Sequence, residues 1–210
     1  MISKDSKLSS GFTIVELLIV IVVIGILASI AVVAYNGVQL RANNSSRTSL
    51  AYQMKTVFDI TKIDTSIATV KASLQYDTWY RACLGTGYPD INSDGVRDCA
   101  AWNGNPFVSE TANFNAILAK TAKVPSMGTY RPVVATSGDV YYGPYISSIT
   151  VDGQDSLSLE YFLEGIGQSC SLSPLIYVTG SSTYTLTPQG ALHYTSSADG
   201  ITVCKILATN

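Results

Sequence analysis

The residues best able to do chemistry lie between Asp90 and Asp98, in the run D-I-N-S-D-G-V-R-D. Side-chain oxygens stand at loop positions 1, 3, 5 and 9 (Asp90, Asn92, Asp94, Asp98). Gly95 stands at position 6 and Val96 offers its carbonyl at position 7. This order matches the first part of an EF-hand-type calcium loop, in which alternate residues face an ion as the backbone winds round it. Hard carboxylate and amide oxygens suit Ca²⁺ better than a softer metal. Position 12, where a bidentate Glu belongs, is Ala101. Asp, Asn, Ser and Gly are also the ordinary residues of turns. Ca²⁺ held by Asp90, Asn92, Asp94, Val96 and Asp98 is the one cofactor expectation.

Four cysteines, Cys83, Cys99, Cys170 and Cys204, allow three pairings. Cys83–Cys99 and Cys170–Cys204 are expected, because each closes one local loop. An even number of cysteines on one side of an apolar segment points to oxidation outside the cytoplasm. No C-x-x-C spacing occurs, which speaks against zinc or thioredoxin-type chemistry. His193 is the single histidine, within Ala-Leu-His-Tyr, and reads as a packed or surface residue. G-x-S-x-G, Walker and H-E-x-x-H motifs are missing, so no catalytic residue is named and no enzyme is expected. Glu160 and Glu164 show no partner in the sequence.

These groups must be positioned by the rest of the protein, and its dominant feature is apolar. From Phe12 to Tyr35 the one formal charge is Glu16. As a helix this stretch is about 36 Å long, against about 30 Å for a bilayer's hydrocarbon core. It exceeds a secretory h-region of about 7–15 residues. A carboxylate in such a helix has two readings. It can lie in the first turn, at the headgroups and the positive end of the dipole. Alternatively it meets a cation. A cut after Gly11 would give Phe12 an α-amino group with a pKa of about 7.7–8.0, able to meet Glu16 of its own or a neighbouring helix.

A polar, lysine-bearing leader ending in Gly11, then Phe12-Thr13-Ile14-Val15-Glu16 and an unbroken apolar run, resembles the type IV pilin (prepilin) N-terminus. The match covers roughly the first 50 residues in type, order and spacing. The resemblance implies cleavage between Gly11 and Phe12 by a prepilin peptidase that also N-methylates Phe12. It implies assembly through Glu16 and the amine of an adjacent subunit, and a helical filament with these helices at its core. It also implies an α+β fold, a long N-terminal helix packed on an antiparallel sheet. Where the family often has proline, this protein has Val33; Gly25 alone weakens a helix by about 1 kcal/mol relative to Ala.

The 210 residues suit one globular domain on a helix, and the net charge of −2 gives no basic footprint for nucleic acid. Residues 1–11 read as leader, 12–35 as membrane span and filament core, and 36–60 as an amphipathic half-helix. Leu50, Met54, Val57 and Phe58 form one helical face there, with Arg47, Lys55 and Asp59 among the polar positions. The segment R-A-N-N-S-S-R-T-S is helix-poor and is expected to bend or loosen; its overlapping sequons at Asn43 and Asn44 read as solvated polar residues. Residues 61–127 read as an irregular connection, with helix continuing past Lys62 and a second short helix at Phe114, Ile117 and Leu118. Residues 128–210 read as antiparallel sheet, with strands near 129–136, 157–164, 175–178, 183–187, 191–196 and 201–208. Leu157, Leu159, Tyr161 and Leu163 alternate onto a face for the helix to cover.

The sequence therefore points to a homopolymerising pilin subunit. Its expected route runs from the cytoplasmic membrane, as a single-pass precursor, to an extracellular pilus. The resemblance implies adhesion, motility or DNA uptake, an assembly machinery in the membrane, and host, surface or DNA ligands. A minor pilin or type II secretion pseudopilin is the near alternative. A membrane-anchored, lectin-like binding module is the reading from another class.

Overall fold

The structure, a computed structural model, describes residues 13–74, 80–120, 123–127, 131–151, 154–170, 176–179, 183–186, 193–196 and 200–208. The protein divides into two compact units, Met1–Ala42 and Asn43–Asn210. The expected cleavage and methylation residues Gly11 and Phe12 lie outside the described residues.

One helix, α1 (Ile14–Asp64), begins in the first unit and ends in the second. In the first unit every residue from Thr13 to Gln39 is exposed. Its apolar side groups, Ile14 to Val38, lie all round the helix. This helix is long and apolar enough to cross a membrane. The helix runs unbroken through Gly25 and Val33, as expected where no proline removes an N–H donor.

Helix α1 is unbroken through residues 41–49, the segment expected to bend or loosen. The correction has a tertiary cause. Asn44 and Arg47 are buried and bonded to distant backbone, at Glu164 and Arg131. Contacts of this kind override weak local propensity. The expected helix face is buried: Leu50, Met54, Val57 and Phe58 are all core residues. Helix α2 (Ile67–Ser73) is separate from α1, because Ser66 caps it by accepting the Thr69 N–H at 3.2 Å. Helix α3 (Ala112–Ala119) stands where a short helix was expected, capped by Thr111, with Phe114 and Leu118 buried.

The strands are β1 (Arg81–Cys83), β2 (Asp98–Trp102), β3 (Asn105–Ser109), β4 (Val133–Val134), β5 (Asp139–Tyr141) and β6 (Tyr145–Val151). They continue as β7 (Gln154–Glu164), β8 (Ile176–Thr179), β9 (Thr183–Leu186), β10 (His193–Ser196) and β11 (Ile201–Ala208). A seven-stranded sheet has the order β10-β11-β7-β6-β9-β8, with β1 also paired to β6. A four-stranded sheet has the order β3-β2-β5-β4. Among the described strands the pairings are antiparallel except for β6–β9, where Val151 pairs with Tyr184 in parallel. The fold is α+β, with a long N-terminal helix and antiparallel sheets.

The smaller sheet corrects the reading of 61–127 as irregular. Strand β2, D-C-A-A-W, lacks the β-branched residues that announce a strand. It is held instead by its neighbours and by the Asn103-Gly104 turn, a hairpin signal that was present in the sequence. The second sheet also changes the environment of β7. Leu157, Leu159, Tyr161 and Leu163 are buried as expected, but so are Ser158, Glu160 and Phe162 on the opposite face. Tyr141 of β5 stacks on Phe162 with ring centroids 3.7 Å apart, so the sheet is covered on both faces.

Candidate functional site

The start of α1 is built from two residues. Thr13 precedes the first helical residue, and its hydroxyl accepts the Glu16 N–H at 3.2 Å. The Glu16 carboxylate reaches back, its Oε2 accepting the Thr13 N–H at 2.8 Å and the Thr13 hydroxyl at 2.7 Å. This is a capping box, T-x-x-E, satisfying donors that a helix N-terminus leaves without an internal partner. The signal was legible in Thr13-Ile14-Val15-Glu16. Glu16 thus occupies the first turn, beside the segment that precedes the helix.

The acidic loop is wound as a series of turns. Asp90 accepts the N–H groups of Asp94 (3.1 Å) and Gly95 (2.9 Å). Asp94 accepts the Val96 N–H at 2.8 Å and the Asn92 amide at 2.9 Å. Gly95 has φ +86°, the left-handed conformation that favours glycine. Asp98 is buried and faces the body of the fold: its carboxylate accepts Ile91 N–H at 3.2 Å and the Ser109 hydroxyl at 2.7 Å. Burial raises the pKa of Asp98, and the charges of Asp94 and Asp90 act in the same direction. The Val96 N–H and the Asn92 amide hold Asp94 below the ordinary carboxylate range.

Among the described residues no three His, Cys, Asp or Glu are grouped so that they could hold a metal ion. The carboxylates of Asp90, Asp94 and Asp98 act here as acceptors for their own loop. A carboxylate has about four lone-pair sites, so two such bonds leave capacity for a further contact. The geometry therefore shows a wound turn held by its own carboxylates.

Both expected disulfides are formed, Cys83–Cys99 and Cys170–Cys204. The first joins β1 of the large sheet to β2 of the small one, next to the acidic loop. The second ties the segment after β7 to β11. In the loop-closure entropy account, loops of these lengths contribute about 3 and 4 kcal/mol.

Sequence reasoning missed a buried polar group on β6, β7 and β11. Glu160 accepts the Ser147 hydroxyl at 2.7 Å, the Tyr145 hydroxyl at 3.0 Å and the Lys205 ammonium at 3.0 Å. Burial, reinforced by the Glu160 charge, pushes the Tyr145 phenol well above its usual pKa. Cross-strand pairing makes this group: Tyr145 and Lys205 both stand opposite Glu160, 15 and 45 residues away in sequence. Glu164 lies 3.7 Å from Arg47. His193 begins β10 and pairs with Cys204 in the ladder.

Residues 6–32 match the prokaryotic N-terminal methylation motif. The matched residues take in the first part of the exposed apolar helix α1 of this α+β fold. The protein is similar to the type IV major fimbrial protein FimA of Dichelobacter nodosus, with 33% identity over 94 residues, 44% of this sequence and 56% of that protein. The alignment therefore spans about half the length of this curated relative. No solved structure matches the present protein.

Proposed function

We propose that the protein is a structural, non-catalytic subunit of a type IV pilus-like surface filament. In this reading a prepilin peptidase cuts between Gly11 and Phe12 and N-methylates Phe12. A membrane machinery then assembles identical subunits. The observation that carries it is the run from Ile14 to Val38, apolar on all sides and exposed throughout. Such a helix needs lipid or sister helices around it. Head-to-tail contacts that do not close satisfy that need by forming a filament. Glu16 would neutralise the Phe12 amine of a neighbour and so favour one axial offset.

Mass spectrometry of the mature protein tests the reading. A polypeptide starting at methylated Phe12, recovered from sheared filaments, supports it. An intact leader on a stable monomer counts against it and favours a membrane-anchored binding module. Abundance in the fibres separates a major subunit from a minor pilin or pseudopilin.

Calcium at residues 90–98 is a separate proposal, supported by residue order and by the left-handed turn at Gly95. It requires Ca²⁺ to raise Tm and Asp94→Ala to abolish the rise. Equal melting curves with Ca²⁺ and with chelator would remove it.

A further inference from the structure

Asn-Gly occurs twice, at Asn36-Gly37 and Asn103-Gly104. Both dipeptides are exposed, yet the fold holds them in different conformations. We propose that Asn103 is a site of spontaneous deamidation and isoaspartate formation, and that Asn36 is protected from it.

The chemistry needs only water and mild base. The Gly104 backbone nitrogen gives up its proton and attacks Asn103 Cγ. A bond from that nitrogen to Cγ closes a five-membered imide, the Cγ–Nδ2 bond breaks, and ammonia leaves carrying a proton. Water then opens the imide on either side of its nitrogen, giving aspartate or isoaspartate. Oxidation states do not change.

Asn36 lies within α1, where the helix directs the Gly37 N–H to a carbonyl one turn back. That holds the proton and fixes the backbone away from ring closure. Asn103 and Gly104 form the two-residue connection between β2 and β3, with φ +47° and +80°, as a type I′ turn requires. The flanking pair Trp102 and Asn105 carries the ladder. Gly104 is exposed, and a Cβ added to it would meet nothing within 4 Å, so the turn stands clear of the fold on that side. The product changes the surface. Asn103 N–H donates to the Gly138 carbonyl at 3.3 Å, and its ladder neighbour Trp102 is paired with Asp139. A new carboxylate there adds like charge beside Asp139, and isoaspartate adds a backbone carbon to a two-residue turn.

The test is incubation of the full folded protein in mild alkali, followed by peptide mass mapping and isoaspartate detection. The expected result is a growing deamidation product at Asn103, none at Asn36, and loss of the product in Asn103→Gly. Gly-Gly suits the same turn, so that variant should melt like the parent. Gain at Asn36 equal to that at Asn103 overturns the proposal. So does an unmodified Asn103 in a folded protein whose unfolded form reacts.

Discussion

The Asn44 amide binds the backbone of Glu164 at both its ends. Nδ2 donates to the Glu164 carbonyl at 2.9 Å, and Oδ1 accepts the Glu164 N–H at 3.0 Å. An amide on α1 thereby acts like one residue of a neighbouring strand at the end of β7. Oδ1 also accepts from Arg47 at 2.9 Å, and Nδ2 also donates to Gln168 at 3.3 Å. Asn44→Ala leaves these groups without that partner and is expected to destabilise the fold by about 2–3 kcal/mol, read from chemical denaturation. The same burial predicts that the Asn44 sequon carries no glycan in the folded protein, which intact mass checks.

Glu16 has two separable roles. Glutamine can replace glutamate in a capping box, but it cannot neutralise an amine. Glu16→Gln should therefore keep the start of α1 and lose filament assembly, scored by yield of sheared fibres. Glu16→Ala should lose both. Normal fibre yield from Glu16→Gln would leave Glu16 as a helix cap alone.

The Glu160–Lys205 pair sits between strands, with Glu160 buried and Lys205 20% exposed at its side group. Lys205→Met strands the carboxylate and is expected to cost about 3 kcal/mol, the lower end of the range for breaking a buried pair. Adding Glu160→Gln should recover part of that loss. A double-mutant cycle by urea denaturation measures the coupling.

Glu110 accepts the Tyr88 N–H at 3.3 Å and the Asn115 amide at 3.3 Å. Burial raises its pKa above the ordinary value, outweighing these bonds and the Arg97 charge. A carboxyl with a raised folded pKa favours folding while protonated. Its contribution is fully present below the unfolded pKa and is lost as pH rises through the folded value. Glu110→Gln should therefore remove a component of stability that grows as pH falls from neutral to mildly acidic. Tm measured against pH should be flatter in the variant than in the parent across that window.

The buried helix face was legible because Leu50, Met54, Val57 and Phe58 recur with the helical period. The β7 face was legible because Leu157 to Leu163 alternate. Strand β2 was not, because Ala100 and Ala101 carry no local preference for a strand. Glu160 gave no sign either, since its acceptor bonds come from other strands. The acidic loop showed its turn residues, while the direction of each carboxylate depended on what it could reach.

By itself the sequence determined the apolar length of α1 and the carboxylate at Glu16, because hydropathy and charge are local properties. The tertiary structure decided that 41–49 stays helical, that Ser158 and Glu160 are buried, and that Asn44 closes onto Glu164. The physical reason is separation in sequence. Asn44 and Glu164 are 120 residues apart, and the low helix propensity of Asn44 is overruled only once the fold buries its amide against the Glu164 backbone.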